Sequence, residues 1–220
     1  MTNSTERTAL LFDLDGTLVD TIELIMQSME FAFADFDGPR PARTEWLLGL
    51  GIPLRTQLAA HARSTEELDW MIARYRLFQG EHHDRMTLLY PGVGEVLGRL
   101  HADGHAMAIV TSKFHAGAVK ALTHVACMDY FGAIIGGDSA EFAKPRPEPV
   151  HLALKKLGAR ADRALMIGDS PHDIAAGNAA GVETVAVLWG PFTREQLLPA
   201  NPTYWLNSIE ELPRLLNGEG

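Results

Sequence analysis

The stretch that most constrains the fold of this sequence is LFDLDGTLVD, residues 11–20. The apolar, β-favouring run at 8–12 predicts a buried strand of a parallel sheet. The strand stops at Asp13, Asp15 follows two residues later, and Gly16 then allows a tight turn. In an open α/β sheet, chemistry lies just beyond the carboxyl ends of the strands. Two carboxylates there repel each other, so the pattern indicates a metal ion, a proton or a cationic ligand between them.

The composition restricts the classes of partner. The chain has 220 residues, enough for one sizeable core and a smaller insert. A net charge of −9 argues against nucleic acid as a partner. The single cysteine, Cys127, excludes an internal disulfide and is typical of the reducing cytosol. The polar residues 1–8 are neither a signal peptide nor a membrane span, so we expect a cytoplasmic protein that binds no membrane.

From Gly92 onward, predicted helices and strands alternate. Apolar runs predict strands at 105–110, 133–135, 164–167, 182–188 and 204–206. Helices are predicted at 95–102, 116–124, 147–157 and 172–180, and from Ser208. This alternation is typical of an α/β fold with a doubly wound, Rossmann-like parallel sheet and helices on both faces. Right-handed crossovers then place the carboxyl ends of the strands at one edge of the sheet.

Residues 20–86 differ from the rest of the chain because their pattern is helical, with no convincing strand. Apolar residues at three- and four-residue steps predict the first helix, and Ser64 with Glu67 forms a capping-box pattern that starts the last one. Helices are expected at 24–35, 44–48, 54–62 and 64–85. We therefore predict an all-helical cap domain at 20–86, inserted into a core made of 1–19 and 87–220.

Polar residues follow the predicted strands where the strands end. They are Asp13, Asp15, Thr111, Lys144, Asp169 and Asp173. Each has an ordinary interpretation when taken alone: an Asp-x-Asp pair is often two solvated loop acids, Thr111 could simply end a strand, and Lys144 could be a solvated surface lysine. The segment Gly-Asp-Ser-x-x-Asp at 168–173 could be a turn and an N-cap. Their occurrence together, in this order and at one sheet edge, predicts a site for phosphate and a divalent metal ion.

The residue types at this edge fit phosphoryl transfer. Mg²⁺ prefers about six oxygen ligands, which the side chains of Asp13 and Asp169, the backbone carbonyl of Asp15 and water can supply. An ionised aspartate needs no base, so we expect Asp13 to attack phosphorus and form an aspartyl-phosphate. Asp15 is expected to protonate the leaving oxygen and later to take a proton from water. Lys144 and Thr111 are expected to neutralise the charge of the transition state.

A second set of residues is expected to support this site or to bind the substrate. Asp173 and Ser170 are predicted to orient the metal ligands from behind. Contacts with the substrate are predicted for Gly16, Thr17, Ser112, Lys113 and Arg55. Arg55 follows a glycine-rich loop at 48–53, from which its guanidinium could grip a carboxylate or a second phosphate. The alternative is an ordinary exposed helix arginine.

Two adjacent cap histidines, His82 and His83, raise the question of a second metal site. Neighbouring residues of a helix point about 100° apart, so they rarely share one ion. We therefore expect them to form salt bridges or to be exposed.

The motifs at the strand ends resemble those of the haloacid dehalogenase-like phosphohydrolases. The matching segments are Asp-Leu-Asp-Gly-Thr at 13–17, Val-Thr-Ser-Lys at 110–113, Lys-Pro-Arg-Pro at 144–147 and Gly-Asp-Ser-Pro-His-Asp at 168–173. The resemblance implies the same roles for the six strand-end residues. Because the dehalogenases of that superfamily lack the second acid and use no metal, Asp15 implies phosphoryl transfer. The helical insert resembles the C1-type cap of the phosphoglycolate phosphatase branch, and Tyr-Arg-x-Phe at 75–78 and Glu-His-His-Asp at 81–84 resemble a small bacterial pyrophosphatase.

Four functions are compatible with these features. The first is a Mg²⁺-dependent phosphatase that hydrolyses a small phosphorylated metabolite, with 2-phosphoglycolate as the first candidate. The second is an inorganic pyrophosphatase that uses the same residues, and the third is a sugar-phosphate mutase that returns the phosphoryl group to its substrate. The fourth is a phospho-accepting receiver module, which would have no use for the helical insert. The sequence leaves monomer and homodimer equally open.

Overall fold

A six-stranded parallel sheet forms the centre of the protein in the computed structural model, which describes residues 8–218. In sheet order, the strands are β5 (Ala133–Ile135), β4 (Met107–Val110), β1 (Ala9–Phe12), β6 (Ala164–Gly168), β7 (Glu183–Val187) and β8 (Tyr204–Leu206). Phe12 lies opposite Ile109 on one side and Ile167 on the other, so the three central strands end at the same level. This arrangement confirms the predicted parallel α/β fold.

Helices cover both faces of the sheet because its strands are apolar on both sides. The core helices are α5 (Val93–Ala102), α6 (His115–His124), α7 (Glu148–Leu157), α8 (Pro171–Ala179), α9 (Arg194–Leu197) and α10 (Leu212–Leu216). Leu10 and Phe12 point towards α5 and α6, whereas Leu11 points towards α7 and α8. The two resulting hydrophobic layers hold the strand ends in fixed positions.

Four helices lie between two very short strands, β2 (Val19–Asp20) and β3 (Leu88–Leu89), which pair antiparallel. They are α1 (Ile22–Ala32), α2 (Arg43–Leu48), α3 (Leu54–Ala59) and α4 (Thr65–Met86). Buried Met29, Phe33, Trp46 and Met71 give this helical insert a hydrophobic cluster of its own. The expectation of no strand in 20–86 fails at Asp20, because two-residue strands are too short to leave a period-two pattern. The domain boundaries 1–19, 20–86 and 87–220 stay a prediction.

The capping box predicted at Ser64 and Glu67 is only half formed. The Ser64 hydroxyl accepts from the backbone N–H of Glu67 as expected, but the Glu67 carboxylate accepts from Arg63 rather than from Ser64. The helix predicted from Ser208 is a single 3-10 turn followed by α10. No helix within 8–218 is long and apolar enough to cross a membrane.

Candidate active site

The ends of β1, β4 and β6 meet beneath the helical insert and form one wall of a cavity of about 540 Å³. The predicted residues that line it are Asp13, Asp15, Thr111, Ser112, Lys113, Asp169 and Ser170. The opposite wall comes from the insert, mainly from α1, the loop at 50–52 and α4. The sheet edge therefore brings together side chains that are more than 150 positions apart in the sequence, as its topology predicts.

Lys144 lies directly behind this wall and joins the ends of β1 and β4 to the first turn of α8. Its ammonium group is 3.0 Å from Asp13 Oδ1, donates to Asp173 Oδ1 at 2.5 Å and donates to the Val110 carbonyl at 2.8 Å. The side chain is 1% exposed. Burial alone would lower the pKa of Lys144, but the charges of Asp13 and Asp173 outweigh it and raise the pKa above its usual range. Lys144 is therefore a fixed positive charge at the site.

Two buried carboxyl groups are held in an unfavourable electrostatic environment. Burial, followed by the charge of Asp173, raises the pKa of Asp13 to about 7 although Lys144 opposes the shift. Burial and the charges of Asp13 and Asp173 also raise the pKa of Asp169 well above its usual value. Desolvated like charges of this kind call for a compensating cation.

The same carboxyl groups fit a divalent metal ion. One oxygen from each of Asp13, Asp169 and Asp173 lies within 4.8 Å of the other two. Asp13 Oδ1 is buried and is paired with the Lys144 ammonium at 3.0 Å, which leaves this oxygen a further lone pair for a ligand. Buried carboxylate oxygens are the donors that hard divalent cations prefer. Asp13 and Asp169 could therefore hold such an ion, as the sequence predicts.

Asp173 is less available as a ligand because both of its oxygens already have partners. Oδ1 accepts from Lys144, and Oδ2 accepts from the Ser170 backbone N–H at 3.0 Å and from the Ser170 hydroxyl at 2.6 Å. Ser170 in turn caps α8 in a full capping box with Asp173. This geometry fits the predicted orienting role of Asp173 and Ser170, which stays a prediction.

Thr17 and Gly16 position Asp169 rather than lining the cavity. The Thr17 hydroxyl donates to Asp169 Oδ1 at 2.6 Å, and Thr17 is fully buried. Gly16 has a φ of +87°, and a Cβ at this position would lie 2.5 Å from Asp169 Oδ2. Trp189 supports the same loop because its indole N–H donates to the Thr17 carbonyl at 3.0 Å. Both residues thus contact a candidate metal ligand, and their contacts with the substrate stay a prediction.

Asp15 projects towards the helical insert and is paired with a cation. Lys113 Nζ lies 2.8 and 3.0 Å from its two oxygens, and the Thr21 hydroxyl donates to Oδ1 at 2.5 Å. Ser112 links the core to the insert because its hydroxyl donates to the Gly51 carbonyl at 2.5 Å. Thr21 was not predicted, although its position at the N-cap of α1, six residues after Asp15, is a usable sequence signal.

Arg55 does not line this cavity, and its contact with the substrate stays a prediction. Its guanidinium is paired with Asp69 at 2.8 Å, its side chain is 54% exposed, and it borders a separate hollow of about 210 Å³. The insert instead lines the main cavity with residues on one face of α4. These residues are Tyr75, Arg76, Gln79, Gly80 and His83. Their spacing of three and four residues was visible in the sequence, but the surface they face was not.

The two cap histidines have different environments. His82 packs its ring against Phe78, with the ring centroids 4.1 Å apart. His83 is 4% exposed, contacts Asp84 and lines the cavity. Of the two expected alternatives, a salt bridge or exposure, His83 has the contact with a carboxylate, and its ring is buried. Lys120 of α6 also lines the cavity and was not predicted.

Comparison with known proteins places this site in a family. A family profile described as haloacid dehalogenase-like hydrolase matches residues 10–187. The chain is 35% identical over 207 residues to the pyrophosphatase PpaX of Halalkalibacterium halodurans, covering 94% of this chain and 95% of that protein. It is also 35% identical over 219 residues to the pyrophosphatase PpaX of Bacillus pumilus, covering both chains completely.

Solved structures agree with this placement. A predicted phosphoglycolate phosphatase from Haemophilus somnus has a TM-score of 0.85 and 25% identity, with 96% of this chain and 99% of that chain covered. A predicted phosphatase from Clostridium acetobutylicum has a TM-score of 0.84 and 26% identity with the same coverage. Similarity of this extent covers the sheet and the helical insert together.

Proposed function

The chain belongs to the haloacid dehalogenase-like hydrolase family, and from that premise we propose that it is a Mg²⁺-dependent phosphatase that works through an aspartyl-phosphate. The observation that carries the proposal is the buried carboxyl group of Asp13. Its Oδ1 is paired with the Lys144 ammonium at 3.0 Å, and the group lies beside the Asp169 carboxyl group in a cluster that could hold a metal ion. A carboxylate in this position is ready to attack phosphorus.

The proposed reaction has two steps. In the first, an Asp13 oxygen bonds to phosphorus while the bond from phosphorus to the leaving oxygen breaks, and Asp15 gives that oxygen a proton. In the second, water attacks phosphorus, Asp15 takes the water proton, and the bond to Asp13 breaks to release phosphate. Mg²⁺, when bound by Asp13, Asp169 and the Asp15 carbonyl, would supply positive charge beside the transferred oxygens. Lys144 and the Thr111 hydroxyl would stabilise the same charge.

Lys113 links Asp15 to the place where the substrate would bind. Its ammonium group contacts both oxygens of Asp15. A bound phosphoryl group would compete for the Lys113 ammonium, which would free Asp15 to contact the leaving oxygen.

Inorganic pyrophosphate is the substrate that we propose first. Two relatives named pyrophosphatase PpaX are 35% identical to this chain over almost its full length. The cavity also carries the cations Arg76, Lys113 and Lys120 in a protein of net charge −9. Positive charge concentrated there suits a substrate whose leaving group is itself an anion. This order reverses the one that the sequence favoured.

2-Phosphoglycolate is the second candidate because of the Haemophilus somnus structure, whose name includes that activity. Its carboxylate would use the same cations as a second phosphate. A mutase and a receiver module are alternatives that the same experiment separates: isomer exchange without net phosphate release indicates a mutase, and a long-lived aspartyl-phosphate indicates a receiver.

The test is release of inorganic phosphate by the purified protein. Pyrophosphate, 2-phosphoglycolate and p-nitrophenyl phosphate are compared, each with MgCl₂ and with EDTA. We expect Mg²⁺-dependent release and the highest kcat/KM for pyrophosphate. A higher kcat/KM for 2-phosphoglycolate would favour the second candidate, and absence of release from all three would overturn the proposed hydrolase.

A further inference from the structure

One buried polar atom of the cavity wall is not explained by the proposed chemistry. His83, on the inward face of α4, has a ring nitrogen, Nε2, that is buried without a hydrogen-bond partner within the described chain. The residue is 4% exposed, so Nε2 has no ready access to bulk water. A buried polar group without a partner is costly and calls for an explanation, such as a ligand.

The other ring nitrogen determines what Nε2 can do. His83 Nδ1 is 2.8 Å from Asp84 Oδ1, and a carboxylate accepts, so Nδ1 carries a proton. In the neutral ring Nε2 is then an acceptor, and after uptake of a second proton it becomes a donor. His83 is therefore poised between accepting and donating at the one nitrogen that has no partner.

The charged groups around His83 come from α4, α6 and the loop before α6. Burial and the charges of Lys120 and Lys113 lower the pKa of His83, and contact with Asp84 opposes this shift. The His124 ring packs on the His83 ring, with the centroids 5.6 Å apart, and its Nδ1 lies 3.8 Å from Asp84 Oδ1. Without a ligand, His83 is therefore neutral near neutral pH. An anion beside the two lysines would cancel their charge and favour the imidazolium.

Lys113 also fixes the side of the reaction on which His83 lies. Its ammonium group contacts Asp15, the proposed donor to the leaving oxygen. His83 lines the same cavity as Asp15 and interacts electrostatically with Lys113, which puts it on the side of the leaving group. Gly80 lies one turn before His83 on α4, and a Cβ added there would meet no atom within 4 Å. This part of the α4 face therefore has room for a ligand.

We propose that His83 Nε2 binds the anionic leaving group of the substrate, a phosphate or a carboxylate, and takes up a proton as it does so. Asp84 is the positioning residue that holds the ring, and Lys113 and Lys120 share the anion. The proposal rests on the proposed function for its substrate class. It goes further because it names a residue that binds the part of the substrate that is not transferred to Asp13.

The first experiment compares His83→Phe with His82→Phe, a matched change one position earlier on the same helix. For pyrophosphate, His83→Phe is expected to lower kcat/KM by about tenfold to hundredfold, the effect of losing one hydrogen bond to a charged group. For p-nitrophenyl phosphate, whose leaving group has no second anion, the loss is expected to stay below about threefold. Equal losses on both substrates would assign His83 a purely structural role and overturn the proposal.

The second experiment needs no turnover, so its failure is distinguishable from failure of the proposed function. Titration calorimetry with methylenediphosphonate and Mg²⁺, in buffers of different ionisation enthalpy, gives the number of protons taken up on binding. We expect the wild type and His82→Phe to take up more protons than His83→Phe and His83→Gln. The glutamine variant retains a polar group if the phenylalanine variant folds poorly. Equal proton uptake in all four proteins would contradict the proposal.

Discussion

The two walls of the cavity are built differently. On the core wall, each acid already has partners inside the protein: Lys144 for Asp13 and Asp173, Thr17 for Asp169, and Lys113 for Asp15. On the wall formed by α4, His83 Nε2 is unpartnered within the described chain, and the Arg76 guanidinium lies over the Phe114 ring at 4.9 Å. The groups proposed for phosphoryl transfer are therefore held in place by partners within the protein, whereas His83, which is proposed to meet the leaving half of the substrate, has a nitrogen without such a partner.

This difference has a physical origin in how each wall is supported. The core residues sit at the ends of three central strands that are hydrogen-bonded to each other and buried on both faces. The α4 residues project from a helix that packs mainly on α1 of the insert. The loop at 50–52 joins insert and core through both kinds of contact, because the Ser112 hydroxyl donates to the Gly51 carbonyl and Leu50 packs against Ile174 of the core. Substitutions on the core wall should therefore damage chemistry, and substitutions on the α4 wall should alter substrate preference.

The largest effect is expected for Asp13→Asn, which removes the proposed nucleophile. Turnover should fall by about four orders of magnitude or more, as for loss of a catalytic nucleophile elsewhere. Thermal stability without metal should not fall, because a buried like charge is lost. Steady-state kinetics and thermal melting measure the two outcomes. Asp103→Asn, at an exposed helix end, is the control, and near-normal rates for Asp13→Asn would remove Asp13 from the mechanism.

A smaller effect is expected for Thr17→Val, which removes the hydrogen bond to Asp169 at nearly constant volume. Loss of such support behind a metal ligand typically costs about tenfold to hundredfold in metal affinity or activity. The Mg²⁺ concentration at half-maximal activity should rise in Thr17→Val. In Thr17→Ser, which keeps the hydroxyl group, this concentration should stay near the wild-type value. Thr123→Val, exposed on α6, should leave it unchanged. If Thr17→Val also leaves it unchanged, Asp169 does not depend on Thr17.

The pH dependence of the free energy of unfolding should reveal the unfavourable burial of like charges on the core wall. The pKa of Asp13 is raised from 3.8 to about 7, and that of Asp169 is raised as well, so the folded protein binds more protons than the unfolded chain in this range. The free energy of unfolding without metal should therefore fall as pH rises from about 4 to about 7. Mg²⁺ should raise the melting temperature more at about pH 8 than at about pH 5.5, because protons compete with it.

Calorimetric melting with MgCl₂ or EDTA at the two pH values measures this difference. Asp13→Asn should reduce both the pH dependence and the metal effect. A Mg²⁺ effect that is equal at both pH values would mean that these carboxyl groups do not bind the ion.

The smallest effect is expected for Arg55→Ala, because Arg55 is exposed and paired with Asp69 outside the cavity. Its kcat/KM for pyrophosphate should change by less than about twofold, as is usual for exposed ion pairs. Arg76→Ala is the matched comparison on the cavity wall, with an expected loss of about tenfold. A larger loss of kcat/KM in Arg55→Ala would support the contact between Arg55 and the substrate that the sequence suggested.

The core wall was predictable from sequence because strand ends determine where its residues lie. Asp13, Thr111 and Asp169 each follow an apolar strand, and parallel topology brings such ends together without further information. The α4 wall was not predictable in the same way. Helical periodicity identifies which residues share a face of α4. Which face is turned towards the cavity depends on how the helix packs in the tertiary structure. That limit explains why the sequence pointed to Arg55 as the cation of the insert and left the burial of His83 open.

The central claim is that Asp13 receives the phosphoryl group within a metal site shared with Asp169. A crystal structure of the protein with Mg²⁺ and beryllium trifluoride, a mimic of a transferred phosphoryl group, tests it most directly. We predict beryllium bonded to an Asp13 oxygen, Mg²⁺ on Asp13, Asp169 and the Asp15 carbonyl, and fluorine contacts from Lys144 and Thr111. Beryllium on another residue, or a metal ion held without Asp13, would contradict the account.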